Sequence, residues 1–208
     1  MKKQLLTMIG ASILCLSANA QSFETATEAV KNMKVGWNLG NTLDSNSGDV
    51  NNMWIEAWTG RTPSDYEKAW GQPVTKPELI KMFKDAGFNA IRIPVTWYPH
   101  MEATFNSVKY NESTKSLTPW DYVNDPIGTK IQAAWLKRVH EVVDYVISQG
   151  MYCILNVHHD TGASNTAWIV ASGANYEQQK NRFFLLLGAV IVAVAAADTE
   201  STDTKKDY

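Results

Sequence analysis

Residues Met151 to Val157, Met-Tyr-Cys-Ile-Leu-Asn-Val, form a near-continuous apolar run. A run this short and this apolar predicts a strand covered on both faces. What precedes it sets the architecture. Ile131, Trp135, Val139, Val142, Val143 and Val146 recur at helical spacing, and Gly150 ends the element. The same order occurs earlier in the chain. Thr75-Lys-Pro-Glu78 is a capping-box pattern with Pro77 in the first turn. The helix it opens carries Leu79, Ile80, Phe83 and Ala86 on one face and stops at Gly87. Asn89 to Trp97 follows, rich in β-branched residues, with Pro94 near its end. Met33 to Leu39 reads as a first short strand, followed by a polar, glycine-containing loop from Gly40 to Asn52, and Tyr98 to Pro126 reads as a long decorated loop. Strand, helix, strand, helix, strand with short turns from helix to strand predicts parallel β/α units, with the chemistry on the loop after each strand.

The chain of 208 residues is 45% hydrophobic, enough for one sizeable core, which excludes a disordered, collagen-like or coiled-coil protein. Its net charge of −2 and the lack of a basic stripe argue against nucleic acid as a partner. Eight Trp and eight Tyr supply core and rim, and flat rings are also what sugar faces stack on. The first twenty residues are set apart. Lys2 and Lys3, the apolar stretch Leu5 to Leu16 and the Ala18-Asn19-Ala20 site predict a signal peptide over residues 1–20, and hence a secreted, periplasmic or cell-surface protein starting near Gln21. An uncleaved anchor is the alternative. Cys15 leaves with the signal, so Cys153 stands alone, without an intrachain disulfide, and reads as a buried small hydrophobe.

Three strand ends carry the unusual residues. The first ends in Trp37-Asn38-Leu39-Gly40-Asn41, the second contains Arg92 and ends at Trp97, and the third ends in His158-His159-Asp160. Arg92 lies between Ile91 and Ile93 and cannot lose its proton, so it must meet a carboxylate or several carbonyls. Two readings stand: a structural ion pair, or an arginine that holds a catalytic carboxylate ionised. His158 and His159, adjacent on a strand, are expected on opposite faces, which argues against both chelating one metal, and no metal is expected. They read either as histidines bonded to backbone carbonyls or as the lining of a polar cleft.

Taken together, Gly36-Trp37-Asn38-Leu39-Gly40-Asn41-Thr42-Leu43-Asp44, Gly87-Phe88-Asn89-Ala90-Ile91-Arg92-Ile93-Pro94-Val95-Thr96-Trp97 and Ile154-Leu155-Asn156-Val157-His158-His159-Asp160 resemble glycoside hydrolase family 5, and within it the bacterial endo-β-1,4-glucanases, with xyloglucanases close by. The resemblance covers roughly residues 24–182. It implies a (β/α)8 TIM barrel, of which about the first three β/α units are present, and retaining hydrolysis of a β-glucan by a monomer that needs no cofactor. By the same resemblance, Arg92 is similar to the family's arginine beneath the nucleophile, and His158 to its histidine beside the reacting sugar. Asn38, Trp97 and His159 are implied to line or support the cleft. Trp168, on the loop after the third strand, is either a sugar platform or a loop anchor.

The family's two catalytic glutamates lie on the fourth and seventh strands, and neither motif occurs here; Asn111-Glu112-Ser113 precedes the third strand. Asp44 and Asp160 lie near the motifs without a sequence argument that pairs them. A full barrel takes about 250 residues. Residues 21–183 are therefore expected to be the N-terminal part of a barrel, inactive by itself. Residues 184–208 are expected to be an apolar run and a charged tail of aberrant character, as a truncated or frame-shifted gene would give. Two other functions fit the same residues: a non-catalytic glycan-binding protein, and a fragment tethered to a membrane by residues 183–197. The latter run, at fifteen residues, is short for a span of about 20.

Overall fold

A computed structural model describes residues 24–47, 54–102, 110–111, 116–117, 130–160, 176–177, 179–181, 183–184 and 187. The expectations for residues 1–20 and 188–208, and for Trp168, lie outside the described residues. The chain divides into two units at Asn32 and Met33. In the first, helix α1 (Ala26–Asn32) starts at Thr25, whose hydroxyl accepts from the Glu28 N–H while the Glu28 carboxylate accepts from the Thr25 N–H.

The second unit is built on a parallel sheet of three strands, β1 (Gly36–Asn38), β2 (Ala90–Val95) and β5 (Tyr152–Val157), in the order β1-β2-β5. Between them run α2 (Trp54–Trp58), α3 (Pro63–Ala69), α4 (Pro77–Asp85) and α5 (Ala133–Ile147). Two-residue strands β3 (Tyr110–Asn111) and β4 (Ser116–Leu117) pair antiparallel within the long loop that follows β2. Helix α4 feeds β2 and helix α5 feeds β5, as the periodicity of each predicts. Gly87 and Gly150 close them with φ of 91° and 64°, a conformation that costs a residue with a Cβ about 1–2 kcal/mol.

The register fixes which side chains share a face. Trp37, Ile91 and Cys153 form one rung, and Asn38, Arg92 and Ile154 form the next. Because successive side chains alternate, the first rung and its continuation through Ile93, Leu155, Val95 and Val157 turn to one face. That face packs against Ile80, Trp135, Val139, Val142, Val143 and Val146 from α4 and α5, and Trp37 stacks on Phe83 with ring centroids 3.9 Å apart.

Several expectations need correction. The last strand is not covered on both faces: Ile154 is 42% exposed, because no described residue closes over the rung it shares with Asn38 and Arg92. Cys153 is half-buried rather than buried, although burial still pushes its thiol up to about 12. The capping box at Thr75 does not form. Thr75 is held inside by Glu67 and Arg138, which bond its N–H and its carbonyl (3.3 and 2.6 Å), so α4 begins one residue later with Lys76 as an extended cap. The box appears instead at Thr62 and Asp65, where α3 starts. Ala86 lies beyond α4 and is exposed. The segment after β1 is buried from Thr42 to Ser47, because its hydroxyls are spent internally: Thr42 on the Leu39 carbonyl, Ser45 on the Tyr66 carbonyl and Ser47 on the Glu56 carboxylate. Tyr66 donates to the other oxygen of Glu56 at 2.8 Å.

Candidate active site

The unused polar side chains gather where the three parallel strands end, the end at which β/α folds place their chemistry. Arg92 occupies the middle rung of the open face. Its Nη1 donates to Asn38 Oδ1 at 2.5 Å, and its Nη2 lies 3.4 Å from His158 Nδ1. A guanidinium only donates, so each atom it meets must present a lone pair; for His158 this leaves Nδ1 unprotonated. The backbone around the arginine is held on both sides: the Leu39 N–H donates to the Arg92 carbonyl, and the His158 N–H to the Val95 carbonyl, both at 2.9 Å. Among the described residues no carboxylate pairs with Arg92, so the structural ion pair is not formed there.

The two histidines do not lie on opposite faces. β5 ends at Val157, so His158 and His159 sit past the last rung, where strand alternation no longer applies. Their ring centroids are 4.3 Å apart. His159 Nε2 stands 4.0 Å from Asp44 Oδ2, and its ring meets that of Trp70 edge-to-face at 5.5 Å. Burial lowers the pKa of His159, with His158 adding to the effect and Asp44 opposing it.

Asp160 is fully buried, and its two oxygens accept the N–H groups of Trp97 and Tyr98 at 2.9 and 2.8 Å. The end of β5 is thereby tied to the end of β2. Trp97 is 1% exposed, so it supports the cleft from within the core and offers no open ring to a sugar. Of the residues singled out from sequence, the structure brings together Arg92, Asn38, His158 and His159. It gives partners to Asp44 and Asp160, which the sequence left unpaired, and adds Trp70; these partners lie far away along the chain, at a separation that no local pattern encodes.

A sequence profile described as cellulase (glycosyl hydrolase family 5) matches residues 44–193. The chain belongs to glycosyl hydrolase family 5. Over 158 residues it is 39% identical to the cellulase/esterase CelE of Acetivibrio thermocellus, covering 76% of this chain and 14% of that protein. It is 37% identical over 145 residues to endoglucanase A of Clostridium longisporum, covering 70% and 22%. Among solved structures, a broad-specificity endoglucanase from an uncultured bacterium is 50% identical with a TM-score of 0.63, covering 83% of this chain and 39% of that one. A family 5 enzyme of Prevotella bryantii in complex with a xyloglucan tetradecasaccharide is 37% identical with the same TM-score, covering 83% and 40%. The family fold is the (β/α)8 barrel, and the three-stranded parallel sheet with its helices is a part of it. The chain spans well under half the length of these relatives.

Proposed function

We propose that this chain contributes the arginine-histidine side of the active site of a retaining β-1,4-glucan hydrolase. The observation that carries this reading is Arg92, held between Asn38 and His158 at the strand ends with its charge met by no carboxylate of the described residues. Retaining hydrolysis uses two carboxyl groups about 5–5.5 Å apart, one as acid/base and one as nucleophile. A fixed guanidinium beside the nucleophile lowers its pKa and keeps it ionised for attack. Asn38 accepts from Arg92 and so orients it. His158 accepts from the same guanidinium and offers its other nitrogen as a donor to a sugar hydroxyl. His159 and Trp70 give the neighbouring wall a polar edge and a ring.

In this reading the two glutamates come from strands that the 208 residues do not supply, and the chain alone is inactive. The whole enzyme, with those strands supplied, acts on a β-glucan as a monomer outside the bacterial cytoplasm, and residues 1–20 direct its export. The test is a chimera that joins this chain through Asp160 to the later β/α units of the Prevotella bryantii enzyme. The chimera is expected to release reducing ends from β-glucan with retained anomeric configuration and to lose the activity in Arg92→Met, while the 208-residue chain releases none. A folded, inert chimera would overturn the hydrolase reading, and release by the chain alone would overturn its inactivity. Amino-terminal sequencing of protein exported by a bacterial host is expected to begin at Gln21; an intact Met1 sinks the signal.

A further inference from the structure

The histidine pair sits beside a carboxylate that is already aimed. Asp44 is buried, and its Oδ1 accepts the Thr42 N–H at 2.9 Å, which fixes the plane of the carboxylate and turns Oδ2 toward His159. One ligand atom from each of Asp44, His158 and His159 lies within 4.8 Å of the other two. Some point therefore lies within about 2.8 Å of all three atoms, against bond lengths of about 2.0–2.2 Å for zinc to nitrogen or oxygen, so each side chain has to close by less than about 1 Å. The His159 side chain is 39% exposed, so the site can be entered from solvent.

We propose that Asp44, His158 and His159 form a binding site for a divalent transition cation of the zinc class at the open end of the sheet. Two imidazoles and one carboxylate are the donor set of an open, three-ligand site for such ions, whereas magnesium and calcium favour all-oxygen shells. The bond from Thr42 is the outer-sphere support that such carboxylates need.

The site has one built-in competitor. Arg92 engages Nδ1 of His158, and a neutral imidazole that accepts there carries its proton on the other nitrogen. Whichever nitrogen binds the cation, the contact with Arg92 must open. Cation binding and the Arg92–His158 contact are mutually exclusive.

The experiment is a calorimetric titration of zinc chloride into the metal-free 208-residue chain, with cobalt(II) as a spectroscopic probe. One zinc per chain is expected, with a visible cobalt spectrum of the intensity of a four- or five-coordinate ion. Asp44→Asn, which keeps an oxygen for Thr42, and the half-exposed His159→Gln are each expected to weaken zinc binding at least about tenfold. His140→Gln, on α5, is expected to leave it unchanged, and Arg92→Met is expected to tighten it severalfold. No zinc uptake, or uptake that both ligand variants retain, overturns the site. Weaker binding by Arg92→Met overturns the competition.

Discussion

The two faces of the parallel sheet β1-β2-β5 differ sharply in what covers them among the described residues. On the rung Trp37–Ile91–Cys153 and its continuation, the side chains meet α4 and α5. On the rung Asn38–Arg92–Ile154, one residue along, an amide, a guanidinium and an aliphatic chain lie together, and Ile154 remains exposed. The difference follows from chain order. The covering helices alternate with the strands along the chain, α4 stacking Phe83 on Trp37 of β1 and α5 packing on β2 and β5, so the covered face is completed by elements that neighbour its strands in sequence. The other face is the inner wall of a barrel, which is filled by side chains from alternate strands around the ring.

If the covered face carries the stability, changes beneath it must cost far more than changes on the open rung. Trp135→Ala is expected to cost about 3–5 kcal/mol, because it leaves a cavity that α5 and the sheet cannot collapse; the urea midpoint measures it. Asp160→Ala comes next, at about 1.5–3 kcal/mol in all, the range for loss of hydrogen bonding to a charged group. Hydrogen exchange is expected to speed up at the amides of Trp97 and Tyr98 and to stay slow within β2; unchanged exchange at those two amides would deny the tie. Gly87→Ala, in the turn that feeds β2, is expected to cost about 1–2 kcal/mol, since its φ of 91° suits no side chain. Ile154→Ala closes the series at less than about 1 kcal/mol. An Ile154 cost equal to that of a buried isoleucine would mean that the open rung is covered after all.

The comparison also has a pH arm. His100 is buried, stacked on Trp135 with ring centroids 3.4 Å apart and edge-on to Tyr66. Burial holds its pKa well below the ordinary 6.5, and the Arg61 charge adds to this. The imidazole therefore stays neutral in the folded state while the unfolded chain takes up a proton below about 6.5. Stability contributed by His100 is intact above that pH and is lost as the pH falls toward the depressed folded value. His100→Phe, which keeps the stack, is expected to flatten this acid limb in thermal unfolding followed against pH; an unaltered limb would assign it to other groups.

Much of the covered face was legible in the sequence, because Trp135, Val139, Val142, Val143 and Val146 announce a helix by spacing alone and are buried on α5; Ile131, read with them, is buried too but lies before the helix, in an antiparallel bridge to Met101. The site was legible in part. Arg92 stood out as a charge inside an apolar strand, and Asn38 and His158 stood out at strand ends, but that the arginine bonds both of them emerged only from the fold. The histidine pair was misread because alternation was extended past the last rung of β5. Helices α2 and α3 and the buried segment Thr42 to Ser47 escaped because their polar residues find partners inside the fold, which hydropathy counts as loop. The Glu67–Arg138 pair that displaces the capping box joins residues 71 positions apart, and no local pattern reports such a partner.

The carboxylate of Asp160 behaves like a pin through two hinge leaves. It follows His158 and His159 directly in the chain and grips the backbone where β2 gives way to its loop. The histidines and the Trp97–Tyr98 corner are therefore indexed to the same point, so a shift in either loop carries the other with it. The rim at the ends of β2 and β5 is aligned as one part, and its tolerance for an insertion on one side is set by what the other side can follow.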